Sequence, residues 1–93
     1  MSALVATSEV EIWNRTIEPE SGDLSSEAAR ALLQLRLPAR DIARVNRLSA
    51  KANSGTLTAK ETVELDNYLN VGRTLELLKA KARLSLRQTA KGR

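Results

Sequence analysis

From Thr58 to about Arg87 the chain contains no proline and only one glycine, Gly72. Such a stretch predicts a single long helix, a rod of roughly 45 Å at 1.5 Å per residue. Its start is written in the residues before it. Gly55-Thr56-Leu57-Thr58 reads as a turn. Thr58 and Glu61 form a capping box, in which each side chain satisfies a free backbone amide of the first helical turn. Nothing else in the sequence allows an element of that length, so the remainder is expected to fold against it.

The remainder is helical by composition. With 93 residues the chain is long enough for one small domain with a modest core. Apolar residues make up 42% and charged residues 28%, a balance that places it with globular rather than disordered chains. The apolar set is mostly Leu and Ala, the aromatics are Trp13 and Tyr68 alone, and β-branched runs are absent. An all-α fold follows. Cysteine and histidine are both missing, which removes disulfides, thiolate chemistry, the commonest general base and the commonest transition-metal ligand. No signal-like leader and no apolar run approaching a membrane span is present, so a cytoplasmic location is expected, without a membrane partner.

The net charge of +4 conceals alternating blocks. Residues 1–27 set Arg15 against six carboxylates, a net of −5, and residues 28–55 set six cations against Asp41, a net of +5. Residues 56–78 come to −2, and residues 79–93 carry six cations and no acid, +6. Blocks like these either draw segments together within the fold or offer a basic surface to an acidic partner.

In chain order, residues 1–7 read as a flexible leader and residues 88–93 as a flexible basic tail of one helical domain spanning 1–93. Ser8 and Glu11 form a second capping box that opens a helix of about nine residues, with Ala6, Val10, Trp13 and Ile17 on one face. Trp13 is expected as a buried anchor rather than a stacking platform. Glu18 to Asp23 reads as helix stop and linker. Ser25 caps a second helix whose inner face is Leu24, Ala28, Ala31, Leu32 and Leu35 and which Pro38 ends. A third helix runs from about Ala39 to Ala52, closed by Asn53-Ser54-Gly55.

Two surfaces stand out. On the third helix Ile42, Val45, Leu48 and Ala52 form an apolar side, while Arg40, Arg44, Arg47 and Lys51 fall in a strip within about 60° on the other. Four cations in line are either a solvated or internally neutralised face, a candidate nucleic-acid-binding track, or a site for an acidic protein. The long helix carries an apolar stripe of Leu65, Tyr68, Leu69, Val71, Leu75, Leu78, Ala82 and Leu86, with Gly72 inside it and close approach of another helix expected there. Val63, Leu77 and Leu84 lie on roughly the opposite side, so the C-terminal half is apolar on two faces. Either the N-terminal helix wraps the second face, or a homodimer or partner protein covers it. In the latter case Leu77, Leu84, Lys81 and Arg83 are the candidate partner-binding residues. Without His or Cys the usual triads and dyads are excluded, and the acidic group Glu61, Glu64 and Asp66 sits on first helical turns where negative charge is favoured anyway. No catalytic, cofactor-binding or metal-ligating residue is assigned, and no enzyme is expected.

A resemblance adds to this reading. Gly22-Asp23-Leu24-Ser25, Glu27-Ala28-Ala29, Gly55-Thr56-Leu57-Thr58 with Glu61, Tyr68, and Leu77-Leu78-Lys79-x-Lys81-Ala82-Arg83 together resemble a family of small, mostly uncharacterised all-helical bacterial proteins often encoded beside HNH-type endonucleases. The likeness spans about residues 22–87, leaving the first helix outside it. Ser26 and Leu37 stand where the family pattern has proline and aromatic residues. The resemblance implies an accessory or antitoxin-like partner of a nuclease and carries no catalytic residues. The expected architecture is therefore four helices around a central αα-hairpin. The expected role is a protein-interaction module, its partner an HNH-type nuclease or a second copy. The rival is a small nucleic-acid-binding protein.

Overall fold

A computed structural model describes residues 6–91. The chain is all-α, with α1 at Glu9–Ile17, α2 at Ser26–Leu33, α3 at Ala39–Asn53 and α4 at Ala59–Lys91, and no strand among the described residues. Residues 1–5 of the expected leader, and 92 and 93 of the expected tail, lie outside the described residues. Residues 88–91 of that tail continue α4, which at 33 residues is about 50 Å long.

The helix starts are local chemistry. The Ser8 hydroxyl accepts from the Glu11 amide while the Glu11 carboxylate accepts from the Ser8 amide, closing the first capping box. Thr58 and Glu61 do the same for α4. The Ser25 hydroxyl accepts from the Ala28 amide at the start of α2. The end of α3 is a Schellman closure: Gly55 adopts a φ of 71°, the Thr56 amide donates to the Lys51 carbonyl and the Gly55 amide to that of Ala52. α2 ends earlier than its proline suggests. Gln34 caps it with tight bonds to Ala31 and Leu32, and Pro38 instead starts α3, its carbonyl accepting from Asp41 and Ile42.

Contacts divide the chain into two compact units, residues 36–73 forming one and residues 1–35 with 74–93 the other. The first is the αα-hairpin of α3 and the start of α4. Its centre is Leu48, with no exposed surface, supported by half-buried Val45, Leu65 and Tyr68. Ile42 and Ala52, expected inside, are exposed, whereas Arg44 and Lys51, expected outside, are half-buried. The packed side of α3 thus lies between its apolar row and its basic strip, because carboxylates of α4 draw the strip inward. Gly72 meets no helix: a Cβ built there finds nothing within 4 Å.

The second unit gathers α1, α2 and the later part of α4. Ala29 and Ala82 are fully buried and Ile17 nearly so. Small residues at these positions let backbones approach closely. Ala29, not Ala31 or Leu35, is the inward point of α2, and both of those are exposed.

Candidate interaction surfaces

The C-terminal stretch, expected either to be wrapped by the N-terminal helix or to meet a partner, is engaged at Lys81 by its own unit. Lys81 is 8% exposed. Its ammonium donates to the Ile17 carbonyl at 2.8 Å and the Glu18 carbonyl at 3.4 Å, and pairs with Asp23 Oδ1 at 2.8 Å. Those two carbonyls belong to the end of α1, where backbone acceptors have no helical partner and a cation is favoured. The Lys81 contact holds the Asp23 carboxyl below its ordinary pKa. Leu77 and Leu84 are half-buried, so the second apolar face of α4 is largely covered within the unit. Arg83 stays exposed, 3.6 Å from Glu76. Of the four expected partner-binding residues, Lys81 is thus buried, Leu77 and Leu84 are half-buried and Arg83 is exposed.

Ser85 completes this junction. It is fully buried, its hydroxyl donating to the Lys81 carbonyl at 2.8 Å and accepting from the Leu24 amide at 3.2 Å. Gly22 passes so close that a Cβ there would lie 3.1 Å from the Leu84 carbonyl carbon and overlap the Gln88 side chain. The segment 18–23, which reads as plain linker, is thus, with Leu24, a packed strap. The available signal was the pair Lys81 and Ser85, one turn apart on the same face as Leu78 and Ala82.

Besides Leu35, the large apolar side chains left exposed in this unit lie on α1. Val10, Trp13 and Ile17 share a face, yet only Ile17 is buried; Trp13 keeps 37% exposure, Val10 38% and Ile12 49%. Trp13 is not the deep anchor its size suggests. Its indole donates to Glu9 of the same helix at 3.1 Å.

No family model, curated protein or solved structure matches this chain. The second surface is the basic strip of the hairpin. The strip divides in two. Arg44 is bidentate to Glu64 at 2.9 and 2.8 Å, and Lys51 pairs with Glu61 at 2.7 Å. The Lys51 ammonium, then the Thr58 amide, hold Glu61 at a pKa of about 2, and Arg44 keeps Glu64 below its ordinary value. Arg40 and Arg47 are exposed and have no carboxylate within 4.0 Å among the described residues. Beside them Tyr68 donates to Asp41 at 2.7 Å, which raises the phenol pKa. A shallow depression of about 270 Å³ is lined by Glu64, Asn67, Tyr68 and Val71. Among the described residues no group of three or more acidic side chains is placed to hold a metal ion, and no helix is long and apolar enough to cross a membrane.

Proposed function

We propose that this chain is a non-enzymatic protein-interaction module that docks through α1. The observation that carries the reading is the half-covered stripe of that helix. Ile17 is buried, while Val10 and Trp13 on the same face remain more than a third exposed. Tryptophan supplies large apolar area at low entropic cost and dominates many interfaces. Here its only polar atom already has a partner in Glu9, so covering the ring leaves no donor stranded. The acidic side chains Glu9 and Glu11 on the same helix favour a partner with a basic rim. The resemblance of residues 22–87, which leaves α1 outside it, to proteins encoded beside HNH-type endonucleases supports a nuclease as partner of the chain and an accessory or antitoxin-like role.

Affinity capture from the source organism, half of it nuclease-treated, tests this. A specific protein retained in both halves by the parent chain, and lost with Val10→Asp or Trp13→Ala, is the expected result. Retention indifferent to both substitutions, or retention abolished by nuclease, would overturn it. Sedimentation of the purified chain separates a second copy from a different protein.

A further inference from the structure

We infer that the hairpin carries a separate phosphate-binding line, made by Arg40, Arg47 and Lys60, that fits the backbone of a nucleic-acid duplex. The inference does not rest on the α1 reading. It rests on how charge is distributed within the hairpin. Along the edge where α3 meets α4, five cations (Arg40, Arg44, Arg47, Lys51, Lys60) face two carboxylates, Glu61 and Glu64. Both carboxylates are taken up by Arg44 and Lys51, which sit deeper and hold them in place. Arg40, Arg47 and Lys60 are left exposed, with no carboxylate within 4.0 Å among the described residues. Lys60 belongs to the same edge because it precedes Glu64 by one turn and its charge helps depress that carboxyl.

The arrangement suits a polyphosphate better than an acidic protein. Arg40 and Arg47 are two turns apart on α3, about 10.5 Å along the axis and within about 20° in phase. Ala43, which lies between them on that face, and Asn46 beside it are exposed and small, so a phosphate backbone can approach closely. Ile42, the large exposed apolar residue nearby in sequence, projects about 160° away from Arg40 around the helix. The exposed apolar side chains of α4 nearest the line are Val63 and Val71, at 60% and 52%, and valine is under-represented among the residues that anchor protein interfaces. The one aromatic near this edge, Tyr68, is half-buried with its hydroxyl bonded to Asp41 and presents only part of its ring to the shallow depression. That favours a duplex backbone over stacked single-strand bases.

The test is anisotropy of a labelled DNA duplex of about 20 base pairs, titrated with the full chain between about 50 and 200 mM salt. Three phosphate contacts predict a slope of log K against log salt of about −2.7, at roughly −0.9 per phosphate. Arg40→Ala with Arg47→Ala should remove about two-thirds of that slope and weaken binding on the order of 100-fold at about 50 mM salt. Arg30→Ala with Arg83→Ala, exposed cations of the other unit, should leave the slope unchanged. Circular dichroism confirms that each variant is folded. Three results would overturn the inference: no binding at the lowest salt, equal loss in both double variants, or displacement of the duplex by a poly-glutamate peptide of equal charge. The last would reassign the line to an acidic protein. Trp13→Ala leaves duplex binding intact, so this result and that of the α1 experiment fail independently.

Discussion

The two units fasten short helices to α4 by opposite means. In the hairpin, one fully buried leucine, Leu48, is flanked by ion pairs whose side chains still reach solvent. In the other unit the centre is alanine, and the fastening is polar: Lys81 and Ser85 are buried and satisfy the Ile17 carbonyl and the Leu24 amide. The difference follows from what each must cover. A two-helix hairpin brings two stripes together and meets no helix end inside, so charge can stay at its edge, where it contributes little and is screened by salt. A strap turning over a helix brings orphan backbone groups into the interior, and these must find donors and acceptors there.

Breaking the hairpin's centre should have the largest effect. Leu48→Ala is expected to cost about 3 kcal/mol through lost burial and the cavity left behind. Hydrogen exchange should show the loss at Tyr68 while Ala82 and Ser85 keep their protection. Equal loss at both sites would make the units one cooperative block and dissolve the contrast.

Lys81→Met comes next, at about 2 kcal/mol, because the apolar stem is kept while the Ile17 carbonyl loses its donor. Exchange should accelerate across α1 and leave α3 alone; a uniform loss would show that Lys81 serves the whole fold and not the strap.

Acid should then single out the hairpin. Glu61 has its pKa lowered from 4.5 to about 2, so its stabilisation is present above about pH 4.5 and fades as pH falls through about 2. Glu61→Gln keeps the capping geometry with Thr58 but removes the charge. Followed by circular dichroism in fixed urea, its unfolding should depend less on pH between about 5 and 2 than that of the parent chain. An unchanged acid limb would assign the acid sensitivity to other carboxylates, such as Asp23.

The smallest effect is a gain. Gly72→Ala should stabilise by up to ~1 kcal/mol, since helix propensity improves and nothing lies near the added methyl. A destabilised variant would mean that Gly72 is approached by something the isolated chain does not contain.

Much of the fold is legible because helix ends are local. Ser8 with Glu11, Ser25, Thr58 with Glu61, and Gly55 each act within five residues, so the starts of α1, α2 and α4 and the end of α3 can be read directly. The surfaces are less legible. The strip Arg40, Arg44, Arg47 and Lys51 is visible as a pattern, but periodicity weighs all four cations equally and cannot say which find carboxylates across the hairpin. Trp13 is expected inside because large apolar residues usually are, yet α1 is seated only by its last turn. Segment 18–23 has the composition of a linker, and composition does not register the Lys81 and Ser85 side chains that bind it and Leu24.

Residue type and spacing within a turn or two suffice for the helical inventory, the absence of thiol and imidazole chemistry, and the charge blocks. Which faces are covered is settled only by the tertiary fold. Pairing Lys81 with Ile17 and Asp23, or Arg44 with Glu64, depends on side chains 20 to 64 residues apart in the chain. Whether a charge is neutralised or an apolar side chain covered is set by such distant neighbours, and the spacing of a helical stripe carries no information about them.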